Sequence, residues 1–323
     1  GVGFVACNTL VIGLLREALV AQARAALARL PAAERGTSLL LRHLGWMLKV
    51  MGQHEEARPL VEEALRTGRA TLGDRHPSTL ESISNMGWLL KEMGKVEEAR
   101  PLLEEVLQAR RETLGDRYPD TLLSMKNMAS LLRHMGQLKE ARPLLEEALQ
   151  ASKKTLGDRH PNTLTTICSM GCLLKAEGKL KEARLLLEEA MQGRREALGD
   201  RHPHTLISIS HMGSLLQRMG QLEEARPLLE EAMQAGRETL GDRHLGTLIS
   251  IGSMGSLLLD MGQLEKAKPL LEEAMQAQRE TLGDRHQHTL ISIFTRAGCF
   301  KPWASWRRRG RYSGRRCKRD GRR

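Results

Sequence analysis

The tripeptide Leu-Gly-Asp returns along the chain at a constant spacing of 42 residues. Its six copies lie at 72–74, 114–116, 156–158, 198–200, 240–242 and 282–284. A constant period between 20 and 50 residues is typical of a solenoid, in which each unit buries its apolar surface against the next. We therefore divide 37–288 into six units of 42 residues, although a length of 323 residues would otherwise suggest two or three compact domains.

Apolar residues within one unit follow the period of an α-helix. In 79–94, Leu80 and Ile83 belong to one apolar face, and in 97–113 a second stripe begins at Ala99. We call the first helix of each unit helix A and the second helix B. A lone pair of helices cannot cover both stripes, so neighbouring units are expected to stack.

Small residues recur at one position of each helix. In helix A they are Gly45, Gly87, Ala129, Gly171, Gly213 and Gly255, and in helix B they are Ala57, Ala99, Ala141, Ala183, Ala225 and Ala267. Gly inside a helix costs roughly 1 kcal/mol relative to Ala. Its return in five of six units predicts that the two helices of a unit cross with close backbone contact.

These small residues, with a Gly-Lys or Gly-Gln pair between the two helices, resemble the tetratricopeptide repeat. The 42-residue unit, with EEARPLLEE in helix B and LGDRHP after it, resembles the kinesin light chain subgroup over roughly 37–293. The resemblance implies an all-α, right-handed superhelical solenoid of tetratricopeptide helix hairpins. It also implies that helices A line a concave groove and that the protein is a non-enzymatic interaction scaffold, similar to the cargo-binding repeat domain of a kinesin light chain.

The repeat register divides the chain into four parts. We expect an N-terminal capping helix and linker in 1–36, six 42-residue tetratricopeptide repeats in 37–288, a broken half-repeat in 289–300 and a basic, disordered tail in 301–323. The third part is called broken because the register fails near Phe294, where a groove position holds a large aromatic side chain.

Thirteen polar or aromatic side chains flank the apolar stripe of the first four helices A. They form the predicted peptide-binding groove: Arg42, His43, Trp46, Lys49, Ser84, Asn85, Trp88, Lys91, Lys126, Asn127, Ser130, Arg133 and Lys175. Lys and Arg attract carboxylates, and Trp offers flat contact area. We therefore predict an extended acidic peptide as the ligand. The alternative is that these basic side chains are only solvated.

No motif of a catalytic site is present, and we expect neither enzyme activity nor a cofactor nor a metal. The segment 87–95 superficially resembles a P-loop, but six residues instead of four separate its glycines. Cys168 and Cys172 lie four residues apart, a spacing that could serve a metal or redox site. Because no further Cys or His cluster follows at ligand spacing, we interpret them as small residues on the exposed face of helix A.

The triplet Asp-Arg-His recurs in the linkers between units, as at 74–76 and 158–160. A single copy could suggest acid–base chemistry, and stacked copies could suggest a row of metal ligands. Repetition in linker after linker favours a structural role instead. We expect the Asp and Arg to satisfy backbone groups at helix ends and to pair with neighbouring units.

The net charge of +11 arises almost entirely in the tail. Eleven of the 50 Lys and Arg residues and one of the 39 acids lie in 301–323, so 1–300 holds 39 basic and 38 acidic side chains. Nucleic-acid binding is thus expected only through the tail, where Arg residues surround Trp303 and Trp306. Alternatively, this segment is a disordered end without a ligand, or it results from a shifted reading frame.

A protein or peptide ligand, acidic in character, is therefore the expected partner. Binding to a kinesin heavy chain is expected only if heptads precede this sequence. No run of about 18 apolar residues is present, so no membrane span is expected. Five scattered cysteines favour a cytoplasmic location. The alternative function is a generic repeat scaffold or the sensor segment of a larger signalling protein.

Overall fold

The computed structural model describes residues 18–30, 39–50, 53–282 and Thr289, and within them every regular element is a helix. Helix α1 covers 18–29. Helices A of the six units are α2 (Leu39–Val50), α4 (Pro77–Glu92), α6 (Pro119–His134), α8 (Pro161–Ala176), α10 (Pro203–Arg218) and α12 (Leu245–Asp260). Helices B are α3 (His54–Leu72), α5 (Val96–Leu114), α7 (Leu138–Leu156), α9 (Leu180–Leu198), α11 (Leu222–Leu240) and α13 (Leu264–Leu282).

From α2 to α13, consecutive helices pack on each other, and each helix A also packs on helix A of the next unit. Helices A contact one another more extensively than helices B do, so the A layer is the inner layer of the curved array. This arrangement is the predicted all-α, right-handed superhelical solenoid. Its core runs through the seams between units and includes Leu89, Leu131, Leu173 and Leu215, all fully buried.

The linkers between units end helix B and begin the next helix A. Gly115 follows α5 with a φ of +83°, a conformation that side-chain-bearing residues rarely adopt. Pro161 then occupies the first turn of α8, where its missing N–H costs little. Just before it, Nδ1 of His160 accepts a hydrogen bond from the backbone N–H of Asn162 at 3.2 Å.

The Asp-Arg-His triplet is therefore structural, although its parts differ from our expectation. The helix end is capped by the histidine rather than by Asp or Arg. Asp200 pairs with Arg195 of the preceding helix B at 3.2 Å. Arg159 pairs with Glu196 of the following helix B at 2.8 Å, which is the predicted contact between neighbouring units.

The small residues of helix A face helix B of their own unit, as predicted. A Cβ added to Gly171 would lie 2.8 Å from Cδ2 of Leu187, closer than real Cβ contacts allow. The crowding atom belongs to a leucine side chain and not to the backbone, so the predicted backbone-to-backbone contact is refined to a contact with a side chain. Ala129 occupies the same position in the third unit and is fully buried.

A ladder of ion pairs joins successive helices B on the outer layer. It consists of Arg69–Glu105, Arg111–Glu147, Lys153–Glu189, Arg195–Glu231 and Arg237–Glu273. Each base also pairs with the Asp of its own linker, as Arg237 does with Asp242 at 3.1 Å. Because the pairs are partly exposed, each contributes at most about 1 kcal/mol.

None of the described helices is both long enough and apolar enough to cross a membrane. The half-repeat predicted in 289–300 lies outside the described residues except for Thr289, which is buried. The tail predicted in 301–323, with its candidate nucleic-acid contacts, also lies outside them, as does most of the N-terminal segment 1–36.

Candidate functional site: the surface of helices A

Four positions of each helix A make up the predicted groove surface. In the second unit they are Ser84, Asn85, Trp88 and Lys91, and the matching residues of every other unit lie 42 residues apart. All four are half-buried in the second and third units, whereas His43 and Trp46 of the first unit are exposed. The predicted groove residues are therefore not one uniform solvated face.

The first unit contributes the most exposed part of the predicted groove. His43 is exposed, and about half of the Trp46 side chain is accessible. Arg42 is half-buried and lies 3.8 Å from the carboxylate of Glu81 in the next helix A. The side chain of Lys49 lies outside the described side chains.

In the second unit, the predicted basic residue Lys91 interacts with several side chains. Nζ of Lys91 lies 5.7 Å from the ring centroid of Trp88, a cation–π distance. The same ammonium pairs with Glu92 at 2.9 Å and donates to the hydroxyl of Ser130 at 3.3 Å. The positive charge of Lys91 is thus largely neutralised by Glu92. Ser84 and Asn85 beside it are half-buried.

The third unit holds two bases of a different kind. Burial, reinforced by the positive charge of Arg194, lowers the pKa of Lys126 to about 8. Among the described residues, neither Lys126 nor Arg133 forms an ion pair with a carboxylate. Asn127 and Ser130 lie half-buried between them.

In the fourth unit Lys175 continues this basic surface. Its Nζ donates to the hydroxyl of Ser214 at 3.3 Å, and its pKa is lowered, mainly by burial. Cys168 and Cys172 lie on the same helix with exposures of only 5% and 7%. Our interpretation of the two cysteines as residues on an exposed face is therefore wrong. The next helix A covers them, which the pattern of one helix alone does not reveal.

Sequence reasoning missed one residue of this surface. Arg194 belongs to helix B but is buried, and it donates to Ser208 at 2.7 Å and to Thr165 at 3.0 Å. From this seam its charge reaches Lys126, Cys168 and the half-buried His211. The repeat position of Arg194 holds Gly, Arg, Ser, Arg, Gly and Gln in successive units. This alternation is the signal that could have identified Arg194.

Comparison with known proteins agrees with this geometry. The family model described as tetratricopeptide repeat matches residues 36–112, 89–154, 120–196 and 204–280. These matches together cover more than half of the chain. The chain belongs to the tetratricopeptide repeat family. A search of curated protein sequences returned no match.

Solved structures of tetratricopeptide proteins resemble this chain. One is a variant of the nearly identical TPR-like repeats assigned to a kinesin light chain of Podosopora anserina, with 31% identity and a TM-score of 0.50 over 64% of this chain and 97% of that one. Another is BtubC (BKLC) from P. vanneervenii, with 18% identity and a TM-score of 0.52 over 73% and 92% of the two chains. NprR in complex with its peptide NprX gives 17% identity and a TM-score of 0.60 over 78% and 72%.

Proposed function

We propose that this tetratricopeptide array is a non-enzymatic scaffold that binds an extended acidic peptide along the surface of helices A. The observation that carries the proposal is the group of bases in the third and fourth units. Lys126, Arg133 and Lys175 form no ion pair with a carboxylate among the described residues. On the outer layer, by contrast, the half-buried bases of the ladder, such as Arg195 and Arg237, are paired with acids.

Unpaired, half-buried bases favour an anionic partner for a physical reason. Burial weakens the hydration of each ammonium, which is why the pKa values of Lys126 and Lys175 are lowered. A carboxylate from a ligand would replace the lost hydration and strengthen the charged form. Side-chain amides such as Asn127 add hydrogen-bonding groups for a peptide backbone.

The aromatic end of the surface extends the proposed site toward the first unit. Trp46 is about half exposed, whereas Trp88 is half-buried beneath Lys91. A large apolar side chain of the ligand could contact Trp46 while its acidic residues lie near Lys126 and Arg133. All thirteen predicted groove residues remain part of this proposal, with Lys49 included by its repeat position.

The wider biological role is proposed on the same basis. Similarity to kinesin light chain repeats supports a cargo-adaptor role, and NprR, which was solved with its cognate peptide, supports peptide binding by this fold. The free thiols of Cys168 and Cys172 support a cytoplasmic location. We also propose the division into a cap at 1–36, six repeats at 37–288, a half-repeat at 289–300 and a tail at 301–323.

Fluorescence anisotropy with a labelled peptide of Glu and Asp around one Trp tests the proposal. The test variant replaces Lys126→Ser and Arg133→Gln, residues that other units carry at these positions as Ser210 and Gln217. We expect about thirtyfold weaker binding, since two charge-assisted contacts of about 1 kcal/mol each are lost. The matched control, Lys139→Ser with Lys181→Ser, removes two exposed bases of helices B. Equal affinity of the test variant and the original chain would exclude this site.

A further inference from the structure

Two adjacent helices A bring three soft side chains together at the seam between the fourth and fifth units. The Sγ atoms of Cys168 and Cys172 and a ring nitrogen of His211 all lie within 4.8 Å of one another. The two cysteines share one face of α8 because they are four residues apart. His211 reaches them from α10, which packs against α8.

We propose that Cys168, Cys172 and His211 bind a thiophilic metal ion with a filled d shell, represented by Zn²⁺. Two thiolates and one imidazole are the ligand types that such ions prefer. Zinc bonds of about 2.0–2.3 Å place tetrahedral ligand atoms roughly 3.5–3.8 Å apart. The three side chains must therefore close by only about 1 Å, which small changes of side-chain torsion supply. One tetrahedral position remains for water or for a ligand atom.

Metals bind cysteine as the thiolate and histidine as the neutral imidazole. Metal binding at this cluster therefore displaces the thiol protons of Cys168 and Cys172 into solvent.

Charge balance also favours the site. Arg133, Lys175 and Arg194 surround the cluster and stabilise thiolates. A complex of Zn²⁺ with two thiolates and a neutral imidazole carries no net charge, so the ion adds little repulsion with these bases. A site built from neutral ligands alone would leave a dication beside three cationic side chains and would be disfavoured.

The other units show that packing does not require these three residues. The position of Cys168 holds Ser84 and Ser210 elsewhere, and the position of Cys172 holds Ser130, Ser214 and Ser256. The position of His211 holds Asn85 and Asn127. The seam between the fifth and sixth units holds Ser210, Ser214 and Ser253 at these positions, so a seam of this type folds without Cys and His.

The same equivalence supplies variants that keep the fold. The full chain, reduced and treated with a chelator, is titrated with Zn²⁺ against a chromophoric chelator, in a background of Cys7→Ser, Cys299→Ser and Cys317→Ser. We expect one Zn²⁺ per chain. Each of Cys168→Ser, Cys172→Ser and His211→Asn should weaken binding at least about 100-fold, because loss of a residue that only hydrogen-bonds a metal ligand already costs about 10–100-fold. His204→Asn, which changes an exposed histidine of the same helix, is the matched control and should bind normally.

Cobalt substitution provides a second measurement that does not depend on affinity. Co²⁺ bound here should show thiolate-to-cobalt charge-transfer absorption and the intense visible bands of a tetrahedral complex. Circular dichroism checks that each variant keeps its helices. Equal Zn²⁺ affinity of the background chain and its Cys168→Ser/Cys172→Ser variant would overturn the proposal. So would a Cys168–Cys172 disulfide that forms in air while the reduced chain binds no metal, since the pair would then be a redox pair.

Discussion

Gly87 of the second helix A lies against Leu103 of its helix B so closely that an added Cβ would stand 2.8 Å from Cδ2 of the leucine. We expect Gly87→Ala to be nearly neutral, because the helical preference for Ala, about 1 kcal/mol, offsets the displacement of Leu103. Gly87→Val should lower the free energy of unfolding by about 2 kcal/mol through overpacking. Urea denaturation followed by circular dichroism measures both changes. The control Ala129→Gly should cost about 1 kcal/mol. Equal stability of the Val and Ala variants would disprove the close contact.

Replacement of Lys126 by Met should stabilise the folded chain. Burial lowers the pKa of Lys126 from 10.5 to about 8, so the folded state disfavours the charged form. The resulting penalty is complete below about pH 8 and disappears as the pH rises toward 10.5. Thermal unfolding should therefore show a gain of about 1 kcal/mol for Lys126→Met at pH 7, after allowance for partial exposure, and almost none at pH 10.5. If the gain in stability does not depend on pH, the effect of Lys126→Met arises from packing alone.

The affinity for an acidic peptide should fall as the pH rises through about 8. Only the protonated form of Lys126 attracts a carboxylate, and binding favours that form. Anisotropy titrations should show about fivefold weaker binding above this range, equivalent to about 1 kcal/mol. The variant Lys126→Ser should lose this pH dependence. If it keeps the dependence unchanged, Lys126 does not contact the peptide.

One rung of the outer ladder should contribute a small, salt-sensitive stabilisation. Nη2 of Arg195 donates to both carboxylate oxygens of Glu231, at 2.8 and 2.7 Å. We expect Glu231→Gln to cost about 0.5–1 kcal/mol at low ionic strength and less in 1 M salt, where screening acts within about 3 Å. Glu230→Gln, which breaks only the pair with Arg226 inside one helix, is the matched comparison. The prediction fails if the loss is the same at both salt concentrations.

The sequence predicts those features that repeat. Leu80 and Ile83 recur with helical spacing, and both are buried as expected. The helix predicted within 79–94 is observed at Pro77–Glu92, and the one predicted within 97–113 is observed at Val96–Leu114. These features depend on the local periodicity of apolar residues, which recurs in every unit.

Contacts between units were harder to predict. Cys168 belongs to a face that one isolated helix would leave open, yet the next helix A covers it. His211 follows Cys168 by 43 residues, a distance that matches no ordinary metal-binding motif. This spacing indicates a shared site only when the sequences of consecutive helices A are aligned with each other. The register of the repeat, read across units rather than along the chain, contains that information.

The ion pairs that join successive helices B repeat at intervals of 42 residues. Unequal recombination between two units of the gene would therefore preserve the solenoid whenever the exchange stays in phase. Loss of 163–204, for example, would remove Cys168, Cys172 and Lys175 together and place His211 beside the helix that carries Lys126 and Arg133. The length of the protein and the ligands that it selects can thus change in one genetic step. Each remaining unit still packs against a neighbour of the same shape.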